Sequence, residues 1–438
     1  MGGTSRLIPL PSFLAFVLAG AHFWRAGWPS LTVGCGITAL LAWTRFAWVR
    51  QFLLLALPLL AARWIWTTAQ FVQIRQLMEQ PWQRLAVILL SVALFTVLAA
   101  LLLLRQKAHR WYCRKEEAAN TQMGAMMVCL ALLLPVWFMN PQLLVLERFI
   151  PQGGLAQVML AALWAVLAAG WLADRHQAPR ARMRLWRLFS LVFFGQLVLG
   201  LAVESRFLLT GSLHLPVPGL IAAGPLYRGG GWFMLGLFGI STLLVGAAWC
   251  SQLCYFGAWD ATAAQKSKNR PAPPWLPCLR LGVLALTVIT ALTLRLAGAP
   301  TVAALSCGLL LGLLLLPCAL LVSRGRGYAS YCLGLCPLGL LGRWLGRISP
   351  WRIRRIGPCS GCHACIRVCR QGAMTEKTLE SGAPSTACHL CRDCAHVCPK
   401  QSLAVTWFGR PSSAAWAGSV FTALLAGLHA AFLFMARI

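Results

Sequence analysis

The feature that most constrains this chain is a succession of apolar segments of about 17 to 25 residues, the length an α-helix needs to cross the hydrocarbon core of a bilayer. Backbone amides in that core find no water, so such segments satisfy them internally as helices. Eleven can be marked out, at about 8–24, 30–48, 52–72, 84–104, 122–142, 154–173, 185–205, 231–250, 278–297, 300–323 and 414–436. Only 11% of the 438 residues are charged and 59% are hydrophobic, where a soluble domain carries roughly 25% charged residues. The sequence predicts an all-α polytopic membrane protein with a small α+β module at 351–410.

A net charge of +29 would suit a nucleic-acid binder, but its placement argues against one. Arg105, Lys107, Arg110, Arg114 and Lys115 follow one apolar segment; Arg175, Arg180, Arg182, Arg184 and Arg187 follow another. Lys266, Lys268 and Arg270, and then Arg324, Arg326, Arg343, Arg347, Arg352, Arg354 and Arg355, follow two more. These loops alternate along the chain, while those around Arg148, Arg206 and Gly298 carry few charges. That is the bias which keeps basic loops in the cytoplasm. It predicts a bacterial inner-membrane protein with N-terminus and module inside and C-terminus in the periplasm. Arg6, a short apolar stretch and Ala19-Gly20-Ala21 also fit a cleaved signal peptide, although Pro9 and Pro11 suit the start of a first span.

Two cysteine runs share one spacing. Cys359, Cys362, Cys365 and Cys369 form the first, and Cys388, Cys391, Cys394 and Cys398, followed by Pro399, form the second. In this pattern three thiolates wrap one [4Fe–4S] cluster and the fourth reaches its neighbour. One cluster would take Cys359, Cys362, Cys365 and Cys398, the other Cys388, Cys391, Cys394 and Cys369. A reducing cytoplasm keeps such thiols from pairing as disulfides. Cys359-Ser-Gly-Cys362-His363 also matches a c-type haem attachment site, a coincidence of a ferredoxin run followed by His. Residues 371–387 between the runs read as a loop with at most a short helix or hairpin.

A second pattern repeats: Trp249-Cys250-Ser-Gln-Leu-Cys254-Tyr255-Phe256-Gly257 parallels Tyr331-Cys332-Leu-Gly-Leu-Cys336-Pro337-Leu338-Gly339. Cysteines four apart share one helix face, so Cys250, Cys254, Cys332 and Cys336 are a candidate third centre, either a metal site or redox-active thiols. Cys35, Cys129, Cys278, Cys307 and Cys318 read instead as small core hydrophobes.

With these twelve cysteines in order, residues 185–410 resemble the membrane polyferredoxins of the NapH, NosR, MauN and CcoG type. The resemblance implies quinol-linked electron delivery to periplasmic reductases, or help in assembling metalloenzymes. Tyr255 stands where that family has Pro, and Arg370 stands where a ferredoxin often has Pro. The resemblance does not extend to the N-terminal part, and a further apolar segment follows the cysteine runs.

Ionisable residues in apolar segments are functional candidates by default. Glu204 pairs with Arg206 or accepts a proton from a quinol. His22 and His429 would be the residues for a haem-b pair, but lone histidines in spans more often line polar helix contacts. His214, in a loop with Pro216, Pro218 and Pro225, could cover a quinone pocket. Trp344, Ile348, Trp351 and Ile353, interleaved with arginines, read either as an interfacial segment or as the underside of the module. Gly229-Gly230-Gly231 lacks the setting of a phosphate loop, and tryptophans are expected at the bilayer interfaces.

The expected domain plan is an N-terminal bundle at 1–184, a transmembrane core at 185–350, the module at 351–410 and a final helix at 411–438. The expected function is a membrane iron–sulfur electron-transfer subunit rather than a stand-alone enzyme. It would relay electrons between the quinone pool or a cytoplasmic donor and partner redox subunits. The alternatives are a maturation factor that reduces a metal or thiol, and a redox-sensing regulator.

Overall fold

The computed structural model describes residues 7–112, 118–208 and 217–435. Arg6, Arg114, Lys115, His214 and Pro216 lie outside them. Among the described residues, eight helices are long and apolar enough to cross a membrane. They are Ala47–Leu77, Gln83–Leu104, Ala119–Met139, Gly153–Ala173, Ala178–Ala202, Leu276–Leu296, Thr301–Arg326 and Pro411–Phe434. The chain is thus a mostly α-helical, multi-pass membrane protein.

Three of the eleven expected spans fall on shorter helices, Leu10–Arg25, Pro29–Leu41 and Phe233–Val245. Glycines set the breaks. Gly27 adopts φ 76° ahead of Pro29, and Gly246 adopts φ 64° after Val245. At about 1.5 Å per residue, a 13-residue helix rises about 20 Å, short of a hydrocarbon core of about 30 Å.

The chain divides into two compact units, Met1–Gly170 and Trp171–Ile438. The boundary expected at 184/185 therefore falls earlier, and those expected at 350/351 and 410/411 lie inside the second unit. In the first unit, Ala47–Leu77 pairs with Gln83–Leu104, and Leu10–Arg25 pairs with Pro29–Leu41. Its core gathers Phe16, Trp48, Leu53, Leu57, Trp64, Leu103 and Tyr112. Polar groups here close helix ends: Arg50 Nε donates to the Leu103 carbonyl at 2.9 Å, and the Tyr112 hydroxyl donates to that of Ala42 at 2.7 Å.

In the second unit the cysteine runs sit between two strands, β1 (Trp351–Arg355) and β2 (Leu403–Trp407). They pair antiparallel, from Trp351 opposite Trp407 to Arg355 opposite Leu403. Alternation puts Trp351, Ile353, Leu403 and Val405 on one buried face. That face does not close on itself. It packs with Val245, Ala248 and Leu253 on one side and Ala417, Phe421, Leu425 and Leu428 on the other. Trp351 is the pivot, only 1% exposed, with its ring edge against Phe421 and Nε1 donating to the Leu244 carbonyl at 2.7 Å.

The arginine-rich segment thus divides in two: Trp351 and Ile353 face the core, whereas Trp344 and Ile348 are exposed. Between the cysteine runs one short helix forms, Glu376–Glu380, capped reciprocally by Thr375 and Thr378. Cys35 and Cys129 are buried as expected, but Cys278, Cys307 and Cys318 are exposed. They lie along the apolar helices Leu276–Leu296 and Thr301–Arg326, where they need only match an apolar surface.

Trp351→Phe keeps an aromatic ring but removes the hydrogen bond to the Leu244 carbonyl, a cost of about 0.5–1.5 kcal/mol. The purified protein in detergent should unfold at a lower temperature; an unchanged midpoint would show that strand and helices do not share a core.

Candidate functional site

The two cysteine runs are built alike. A loop carries the first two cysteines, a residue in the left-handed region follows (His363 at φ 55°, Arg392 at φ 67°), and a short helix carries the third. Backbone amides point at the outer sulfurs from matching positions. Gly361 donates to Cys359 Sγ at 3.5 Å and Leu390 to Cys388 Sγ at 3.4 Å. Ala373 donates to Cys369 Sγ at 3.3 Å and Ser402 to Cys398 Sγ at 3.4 Å. Such bonds favour thiolate over thiol.

The backbone crosses the fourth cysteines over. Ser402, which holds Cys398, donates through Oγ to the carbonyl of Pro358, next to Cys359. Ala373, which holds Cys369, accepts at 2.8 Å from the amide of Ser385, whose carbonyl accepts from Cys388. Accordingly Cys369 interacts electrostatically with Cys388, Cys391 and Cys394, whereas Cys365 interacts with Cys359 and Cys362. A cavity of about 140 Å³ is lined by Cys369, Cys388, Cys391 and Cys394 together. The two sets differ in surroundings. Cys359 and Cys362 are exposed, and the Ala364 amide holds the Cys362 thiol below its usual range. Burial pushes Cys388 up to about 12.

Basic residues from the helix ends grip these loops. Arg182 forms a buried ion pair with Asp393 at 2.6 Å, and its Nη1 donates to the Ser251 carbonyl at 3.0 Å. Arg175 donates to the carbonyls of His396 and Cys398. Arg370 Nη1 donates to those of Ser267 and Gly327, each at 2.8 Å, and Asn269 donates to that of Cys369 at 3.0 Å. Proline at position 370 would lose both arginine bonds. Arg392 lies over the Phe421 ring and donates to Thr422 Oγ1 at 2.5 Å.

The paired CxxxC segments also converge. Each is a short turn, an α turn at Ala248–Gln252 and a π turn at Tyr331–Leu335. Each hands over to a ten-residue helix, Tyr255–Ala264 and Pro337–Gly346. The second cysteine caps that helix, so Cys254 Sγ accepts from Gly257 at 3.4 Å and Cys336 Sγ from Gly339 at 3.3 Å. A Cβ at Gly257 would stand 2.8 Å from the Cys250 carbonyl, and one at Gly339 would stand 3.3 Å from that of Cys332. Cys332 interacts electrostatically with Cys336, Cys254 and Cys250, so all four thiols form one group. Burial pushes Cys254 up to about 11 and Cys336 up to about 12. Among the described residues no three His, Cys, Asp or Glu side chains converge tightly enough to hold a single metal ion.

Several polar residues here escaped the sequence reading. Arg280 is 1% exposed, and Nη1 donates to the Cys332 carbonyl at 3.0 Å. Asp260 is wholly buried and accepts from Ser323 Oγ at 2.6 Å and from the Cys332 amide at 2.9 Å. A charged residue inside an apolar segment, as Arg280 is, was the available signal. Two cavities of about 120 Å³ flank the four thiols. One is lined by Tyr331, Leu335 and Pro337 with Tyr227, Arg228 and Thr287; the other by Trp249, Leu253 and Tyr255 with Phe189, Phe193 and Phe238. Matching positions of the repeat thus line matching cavities.

The remaining candidates stand apart. Glu204 follows the helix Ala178–Ala202 and caps a short turn, accepting from the Arg206 amide. His22 packs on Trp64, and His429 is buried with Nε2 3.1 Å from the Leu185 carbonyl. Gly229 ends a helix in the left-handed region.

No family model, curated protein or solved structure matches the chain.

Arg182→Ala leaves Asp393 buried and unpaired, a loss of about 3–5 kcal/mol, which should appear as a sharply lowered unfolding temperature in detergent. In protein stripped of metal at neutral pH, iodoacetamide should label Cys359 and Cys362 well before Cys388 and Cys394, because the thiolate is the reactive form. Peptide mapping reads the order, and equal rates would contradict the burial described.

Proposed function

We propose that this chain is a membrane-bound iron–sulfur electron-transfer subunit, relaying single electrons between a quinone pool or a cytoplasmic donor and a partner redox protein. The crossed grouping of Cys369 with Cys388, Cys391 and Cys394 around one cavity carries this reading, because it is the grouping that two neighbouring [4Fe–4S] clusters require. Four sulfurs facing a cavity, with amides aimed at their neighbours, suit a polynuclear cluster better than an apolar core. Bound there, the clusters supply one-electron carriage; the rest is the work of the protein.

Cys359, Cys362, Cys365 and Cys398 hold the exposed set, open to a soluble partner. Cys369, Cys388, Cys391 and Cys394 hold the inner set, from which Phe421, Trp351 and their neighbours exclude water. Arg182 and Arg392 place positive charge beside the inner set, favouring its more negative, reduced state. The alternation of basic loops supports a cytoplasmic position for this ferredoxin-like module, at the inner face of a bacterial membrane. Apolar cavities with a few polar groups are what an isoprenoid quinone needs, and the one with Tyr227, Arg228 and Thr287 is our candidate for it.

Anaerobic purification with iron and sulfide quantitation should give at least about eight irons per chain. About four or fewer in intact protein would sink the two-cluster reading. Cys369→Ser and Cys388→Ser should alter the same EPR signal, and Cys398→Ser and Cys359→Ser the other. Rapid cluster reduction by a quinol analogue would support the relay, whereas reduction of added copper without quinol reactivity would point to metalloenzyme maturation.

A further inference from the structure

We propose that Cys250, Cys254, Cys332 and Cys336 bind a third, polynuclear iron–sulfur centre, with buried Arg280 as its counter-charge. The proposal rests on the electron-relay reading above and adds a station to it.

Three observations converge. The four thiols meet across an internal repeat, and two of them, Cys254 and Cys336, sit at helix starts where Gly257 and Gly339 amides donate to sulfur. Helix N-termini and amide donors both stabilise thiolate ligands. Four thiols are the ligand number of a sulfide-bridged iron centre.

Second, the surroundings hold positive charge that lacks an answering anion. Arg280 has no carboxylate partner among the described residues, and its Nε, like Arg343 Nε, is buried without a hydrogen-bond partner. Arg280 Nη1 and the Cys336 Cβ both lie within 3.5 Å of the place a Gly339 Cβ would take. Cys250 Sγ lies 3.3 Å from the corresponding point at Gly342, beside Arg343. The one nearby carboxylate, Asp260, is engaged by Ser323 and the Cys332 amide. A buried guanidinium is costly unless paired, and four thiolates on iron carry the negative charge that would pair it.

Third, the group is wired to the inner cluster set. Ser251, next to Cys250, donates through Oγ to the carbonyl of His389 at 2.7 Å, and His389 adjoins Cys388. One hydrogen bond therefore joins the backbone of the two cysteine groups.

The test compares full-length wild type with Cys332→Ser/Cys336→Ser, both purified anaerobically and monodisperse. The double variant should lose about two to four irons per chain with matching sulfide and one EPR signal, and should keep the signals that depend on Cys359 and Cys388. Equal iron and spectra in the two proteins would overturn the proposal. Where the variant does not fold, wild-type iron decides: about ten to twelve per chain supports it and about eight overturns it. Failure of the relay reading appears separately, in the Cys359→Ser and Cys388→Ser spectra. Arg280→Gln should lower the midpoint potential of the third signal, while Arg280→Lys restores it; a potential that neither substitution moves would remove Arg280 from its role.

Discussion

The cysteine loops depend on positive charge delivered to them from outside their own segment. Loops that wrap sulfur groups leave many carbonyls turned outward, with too little local secondary structure to satisfy them. In this chain Arg175, Arg182 and Asn269 take up that work, each reaching a carbonyl or carboxylate in the cysteine runs, while Arg370 reaches back from the first run to the carbonyls of Ser267 and Gly327. The Arg182–Asp393 pair is the most buried of these contacts and ties the helix Ala178–Ala202 to the second run. Without such bridges the runs would carry unpaired polar groups against an apolar support, which is expensive.

Basic residues in a membrane protein are usually explained by topology. Here topology alone would leave their detailed positions arbitrary, yet several of them meet specific atoms. The same side chains can bias the orientation of the helices and fasten the cysteine runs to them, since both uses place arginine at a helix end.

Much of this was legible in the sequence. The spans could be read because twenty apolar residues have few other uses, and the two cysteine runs because their spacing repeats. The repeated CxxxC segments were visible as a pattern, though not their meeting in space. Less legible were Arg280, Asp260 and His389, whose importance comes from what lies across from them in the fold. Two helices are shorter than composition suggests: Phe233–Val245 because Gly246 breaks the backbone inside an apolar run, and Pro29–Leu41 because it stops ahead of Thr44 and Arg45. Polarity changes at 351 and 410, but the core beneath β1 and β2 continues into the helices that precede and follow the module.

That shared core has a consequence for biosynthesis. Phe421, Leu425 and Leu428 belong to a helix translated after both cysteine runs, yet they share one core with Cys365 and Cys394. Until that helix is in place, the core around Cys365 and Cys394 lacks part of its apolar wall. The setting of these cysteines is therefore completed late, once a downstream helix has packed against it. The order of assembly is written into which residues complete the wall.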